Sequence, residues 1–98
     1  MNIGIKKITE ETRIELTGRL DTITALDLEK TIQSDVSDKT NLVFDMKDLE
    51  YISSAGLRVL LGAQKKIQKF GSMKLINVCD DVMEVFEMTG FAEILTIE

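Results

Sequence analysis

Between Leu42 and Val78 the chain changes its hydrophobic period twice, and no other feature constrains the fold as much. "NLVFDM" is a short continuous apolar run, which predicts a central strand with both faces covered. From Ser54 to Phe70, Gly56, Leu60, Ala63, Ile67 and Phe70 recur every three or four residues, while Arg58, Lys65, Lys66 and Lys69 take other directions. That spacing predicts an amphipathic helix stopped by Gly71. "MKLINV", Met73 to Val78, is then a second strand, and strand, helix and strand in one sheet imply a parallel pair with a right-handed crossover.

The segments on either side extend this unit. "IGIKKI" (Ile3 to Ile8) and "TRIELTG" (Thr12 to Gly18) alternate apolar and polar residues around "TEE", which predicts an antiparallel hairpin. "TALDLEKTIQSDV" places Ala25, Leu28 and Ile32 at helical spacing, with Thr24 as the expected N-cap and Asp27 favourable near the helix start. In "DDVMEVFEMTGF", Asp81 and Glu84 stand at N-cap and N3 spacing and Gly90 at a left-handed C′ position, with Phe91 able to pack back onto Phe86. The closing "ILTI", Ile94 to Ile97, can add a short strand. With no proline, no Gly/Ser tract and no repeat, residues 1–98 read as one α/β domain. Its sheet is mixed and four- to five-stranded, with about three helices.

Several chemistries are excluded or disfavoured. The absence of histidine removes Ser-His-Asp and Cys-His nucleophile activation, and with Cys79 as the lone cysteine neither an internal disulfide nor a usual zinc site can be built. There is no phosphate loop or dinucleotide-binding turn. No catalytic residue, metal ligand or cofactor is assigned, and Cys79 reads as a packing residue. The net charge of −5 disfavours nucleic acid and anionic membrane, and Lys65, Lys66 and Lys69 read as a solvated helix face. No signal-peptide h-region and no spanning apolar run is present, so a cytoplasmic monomer is the expectation.

A chain this short has little stability to spare for an enclosed active site, so function by surface contact is expected. Asp21, Asp45 and Asp48 could meet at the carboxyl ends of strands, where ligands of open α/β sheets bind. The plainer reading makes Asp45 and Asp48 the end of their strand and its turn, and has Asp21 cap or turn the chain into the first helix. Ser53 and Ser54 read as N-cap and first-turn residues. Ala55 and Gly56 are small enough to let another backbone approach, and Gly56 and Leu57 mark the expected contact surface.

"GRLDTITA" (Gly18 to Ala25), "LVFDM" (Leu42 to Met46) and "SSAGL" (Ser53 to Leu57) occur in this order across almost the whole chain. They resemble the motifs of the STAS family, most closely its single-domain anti-sigma-factor antagonists (anti-anti-sigma factors). The resemblance implies partner switching. The unmodified protein would bind an anti-sigma factor that is also a serine kinase, freeing a sigma factor. Phosphorylation would end the binding, with ATP held by the partner and a serine phosphatase as the reversing enzyme. It places the phosphoacceptor on Ser54 and recognition on Asp21, Thr24, Ser53, Gly56 and Leu57. Ser53 stands where the family has aspartate, and Ala55 where it has a second hydroxyl residue.

Two other readings stay open at this point. One is a STAS regulatory subunit of a transporter or sensor assembly without phosphoswitching. The other, from a different class, is an aspartyl-phosphate receiver using Asp45 with Asp21 or Asp48.

Overall fold

The computed structural model describes residues 1–37 and 39–98. Strand β1 (Asn2–Ile8) and strand β2 (Glu11–Leu20) form the expected antiparallel hairpin, with Ile5 opposite Ile14 and Ile3 opposite Leu16. Helix α1 (Thr24–Asp35) crosses to strand β3 (Asn41–Ile52), and helix α2 (Ser54–Ile67) crosses to strand β4 (Ser72–Ile76). Both crossovers join parallel neighbours, giving a four-stranded sheet in the order β1-β2-β3-β4. Helix α3 (Asp80–Thr89) and the single turn α4 (Phe91–Ile94) follow.

Alternation along the strands decides what lies in the core. Ile14 and Leu16 of β2, Leu42, Phe44 and Met46 of β3 and Met73 and Leu75 of β4 join one buried cluster with α1, α2 and α3. The intervening residues Arg13, Glu15, Asp45 and Lys74 take the opposite face and are only half-buried. Val43 is buried on that face but lies outside the core cluster, between its strand partners Arg13 and Lys74. The expected central strand with both faces covered is therefore present at Val43, with Arg13 and Lys74 as its partners on the neighbouring strands.

The strand containing "LVFDM" also runs further than expected. Asp45 and Asp48 do not end it, because β3 continues to Ile52 alongside β2. Two register shifts, opposite Glu15/Thr17 and opposite Gly18/Arg19, each place one extra residue on β3 and keep the two strands paired to Leu20 and Ile52. At the other end of the chain, "ILTI" supplies a single bridge, not a strand. Ile97 pairs with Leu75 on the open edge of β4, with Leu75 N–H donating to Thr96 O at 2.9 Å.

Helix ends show where local chemistry was read correctly and where it was not. Gly90 has φ 82° and ends α3 in the left-handed region, as its position predicts. Cys79, not Asp81, is the N-cap of α3, and it caps without a side-chain hydrogen bond. Phe70 does not continue the buried stripe of α2: that helix ends at Ile67, and Phe70 is 64% exposed. Gly62 sits on the solvent side of α2 with nothing within 4 Å of a built Cβ. Gly62→Ala is therefore expected to stabilise the protein by about 0.5–1 kcal/mol through the unfolded chain, read as a raised urea midpoint at constant slope.

Candidate functional site

The carboxyl ends of β2 and β3 bring Asp21 and the two serines together. Leu20 and Ile52 are parallel partners, and Ser53 N–H donates to Leu20 O at 2.8 Å, so the chain leaves both strands side by side. Ser53 has extended backbone and is the N-cap of α2. Its Oγ accepts from Gly56 N–H at 3.2 Å, and its carbonyl accepts from Leu57 N–H at 3.0 Å. Ser54 is the first helical residue and is exposed, whereas Ser53 is half-buried. The adjacent hydroxyls thus differ: one is tied into a cap and the other faces solvent.

Two residues expected at the contact surface are instead part of the core. Leu57 is 4% exposed, and a Cβ on Gly56 would lie 2.8 Å from Leu20 Cγ and 2.9 Å from Ile52 Cγ1. Gly56 is needed so that α2 can approach the end of β2. Neither side offers atoms to a partner, so their effect on any contact is to position the start of α2.

Thr24, the expected N-cap of α1, is instead its first residue; Ile23 precedes it with no side-chain cap bond, and Asp21 caps the turn that leads into the helix. Asp21 Oδ1 accepts from Ile23 N–H at 3.0 Å and from Thr24 N–H at 2.9 Å, while Thr24 Oγ1 accepts from Asp21 N–H at 2.8 Å. This is a reciprocal capping arrangement with threonine in the place usually held by Glu or Gln. The Thr24 hydroxyl has one proton, with Arg19 O at 2.8 Å and Asp21 Oδ1 at 3.0 Å as its two acceptors, so Thr24 locks the β2–α1 turn whichever it serves. Asp21 Oδ2 takes part in no hydrogen bond among the described residues.

These bonds act on the charge of Asp21. Hydrogen bonds from the Thr24 backbone and side chain, then from Ile23, with Arg19 adding attraction, hold its carboxyl below the ordinary 3.8. Because the folded value is the lower one, the contribution of the carboxylate to the turn is complete above the unfolded value and is lost as pH falls through the folded one. A pH titration followed at the Thr24 amide resonance should show a transition below 3.8 in the wild type. Asp21→Asn keeps a capping oxygen and should show none.

A groove between α1 and α2 adjoins the two serines. Thr22, Ala25 and Leu26 from the α1 side and Ala55 and Val59 from α2 help line a hollow of about 390 Å³. A second hollow, of about 180 Å³, continues down the same helix pair past Gly62 to Lys66. Leu26 is 59% exposed at this groove, and Ile23 in the turn just before α1 is 75% exposed. Neither was singled out in the sequence. The signal was there: Leu26 lies off the Ala25/Leu28/Ile32 stripe, and Ile23 is an apolar residue in an otherwise polar turn. On the neighbouring strand ends, the Arg19 guanidinium stacks 4.1 Å from the Tyr51 ring centroid.

The three aspartates do not converge. Asp45 pairs with Glu15 while Ile52 pairs with Leu20, so roughly 20 Å of strand at about 3.3 Å per residue separates Asp45 from Asp21. Asp45 Oδ1 accepts from Lys47 N–H at 3.1 Å and from Asn77 Nδ2 at 3.0 Å, which braces β3 where its pairing with β2 shifts register. The arrangement gives the receiver reading no acidic centre. Among the described residues, no group of three His, Cys, Asp or Glu is placed to hold a metal, and no helix is long and apolar enough to cross a membrane. Cys79 is half-buried against the core, with Sγ 3.4 Å from Leu49 O.

A mixed sheet thus presents one exposed serine at a helix start, beside a capping aspartate and an apolar groove. The chain belongs to the STAS domain family, whose model matches residues 2–98. It is similar to the anti-sigma-B factor antagonist of Bacillus subtilis (strain 168), 28% identical over 98 residues that cover 99% of this chain and 90% of the relative. An anti-sigma factor antagonist from Mycobacterium paratuberculosis shares the fold with a TM-score of 0.88 at 22% identity, over 98% of this chain and 83% of that one. The antagonist SpoIIAA in its unphosphorylated form matches at 0.79, with 19% identity over 99% of this chain and 88% of that one. In its phosphorylated form, Bacillus SpoIIAA matches at 0.66, with 18% identity over 99% and 91%.

Proposed function

We propose that this chain is an anti-sigma factor antagonist working by partner switching. Unmodified, it binds an anti-sigma factor that is also a serine kinase, and so frees a sigma factor. The kinase then ends the binding by phosphorylating Ser54. The observation that carries this reading is the exposure of Ser54 at the first position of α2, beside Asp21, with Ser53 held in the cap. Relatives named as anti-sigma factor antagonists support it.

In the modification step the γ-phosphoryl group of ATP bound by the partner passes to Ser54 Oγ. The bond to ADP breaks and the hydroxyl proton leaves to the partner or solvent. Hydrolysis by a serine phosphatase restores the hydroxyl. The chain itself supplies the acceptor and the docking surface: Asp21 through Oδ2, the Leu26, Ala55 and Val59 side chains of the groove, and Ile23 exposed in the turn before α1.

Phosphate adds about −1.5 to −2 charges near neutral pH. The first turn of α2 contains no acidic residue, so the helix dipole accepts this charge and the fold survives. Binding ends because a dianion must be desolvated against an apolar groove and is repelled by Asp21.

A competition experiment tests the role. A preformed complex of the anti-sigma factor with its sigma factor is mixed with the unmodified chain, and the sigma factor is followed by size exclusion. Release in proportion to added chain is expected. A sigma factor that stays bound at saturating chain, with no complex between chain and anti-sigma factor, sinks the proposal.

A further inference from the structure

We propose that Arg58 is the internal counter-ion of phosphorylated Ser54, so that modification withdraws a cation from the contact groove as well as adding an anion beside it. This rests on Ser54 being the modified residue. Ser54 and Arg58 stand at i and i+4 on α2, a spacing that brings Cβ atoms to about 5–6 Å. Helical side chains lean toward the amino terminus, so Arg58 reaches back over the turn that carries Ser54. A guanidinium at this spacing can offer two parallel N–H groups to one phosphate.

The surroundings leave Arg58 free for that role. It is exposed, and among the described residues it makes no salt bridge. Together with Glu29 and Val59 it lines both hollows between α1 and α2, so its head group lies at the waist of the groove. Glu29 is the α1 carboxylate across that waist, yet the two are not within ion-pair distance. Arg19, the other cation at this end, is stacked on Tyr51. In the unmodified protein Arg58 is thus available to an acidic side chain of the partner. A phosphate on Ser54 competes for the same guanidinium from within its own helix and carries more charge than Glu29.

The test needs no partner. Phosphoserine is installed at position 54 during synthesis of the full chain, and its second ionisation is followed by phosphorus NMR against pH. An Arg58 counter-ion favours the dianion, so Arg58→Gln should raise that pKa by about 0.4 unit, the shift equivalent to one i,i+4 ion pair. Arg19→Gln should leave it nearly unchanged. An unchanged pKa in Arg58→Gln, or a shift produced by Arg19→Gln instead, overturns the inference. A kinase that never labels Ser54 would sink the proposed function while leaving this comparison fully readable.

Discussion

Gly71→Ala is expected to lose about 3 kcal/mol of stability, the upper end for overpacking. The reason is not the dihedral freedom usually associated with a glycine after a helix. The positive-φ glycines among the described residues are Gly18 and Gly90. At Gly71 an added Cβ would overlap the Thr40 carbonyl oxygen, come within 3.0 Å of its carbon and sit 3.1 Å from Ile67 Cγ2. Backbone cannot swing aside as a side chain can, and this backbone is pinned. Thr40 Oγ1 lies 2.9 Å from Thr12 Oγ1 in a buried pair and 3.1 Å from Glu10 O, and Thr40 O accepts from Ser72 N–H at 3.3 Å. Gly56→Ala should cost less, about 1–2 kcal/mol, because its added methyl meets side-chain atoms of Leu20 and Ile52, which repack more readily than backbone. Urea unfolding of the two variants side by side checks the order. A Gly71→Ala protein as stable as the wild type would show that α2 and β4 can move apart freely.

Ser54→Asp is expected to weaken binding to the anti-sigma factor on the order of 100-fold, equivalent to about 3 kcal/mol of repulsion and desolvation at the interface. Its circular dichroism should match that of the wild type. The charge enters at the first helical position of a helix whose first turn has no acidic residue, where an anion is favourable by about 0.3–1 kcal/mol. Ser53→Asp tests the other hydroxyl. Aspartate is as good a cap as serine, so α2 should again persist, and any change in affinity then reports the contact surface. Loss of helical signal in Ser54→Asp would contradict the surface-switch account. Retained affinity in Ser54→Asp would contradict the role of charge at this position.

Much of this arrangement was legible because periodicity reports directly which residues share a face. The β-hairpin, the crossover from β3 through α2 to β4 and the cap at Ser53 follow from alternation, from helical spacing and from a hydroxyl three residues before Gly56. Gly90 is legible for the same kind of local reason, since no nearby contact competes with its backbone preference. What periodicity does not report is which element covers a face. Leu57 and Gly56 sit where a partner could have approached, but the ends of β2 and β3 occupy that space. Val43 looked like a core residue and is buried by strand neighbours instead. The capping at the start of α1 is ambiguous in the sequence because Asp21 and Thr24 can each fill the role locally. The choice fell to Asp21 once Thr24 Oγ1 was held by Arg19 O and Asp21 N–H. Phe70 has helical spacing from Ile67, but α2 stops before it so that Gly71 can pass against Thr40.

Phosphosite mapping tests the central claim most directly. After incubation with the partner kinase and ATP, trypsin cleavage at Lys47 and Arg58 releases a peptide, residues 48–58, whose hydroxyl groups belong to Tyr51, Ser53 and Ser54. Fragment-ion mass spectrometry then assigns the phosphate. The account predicts phosphate on Ser54 in the wild type and in Ser53→Ala, and none in this peptide from Ser54→Ala. Phosphate on Ser53, or a kinase that binds the chain tightly and leaves Ser54 unmodified, would contradict it.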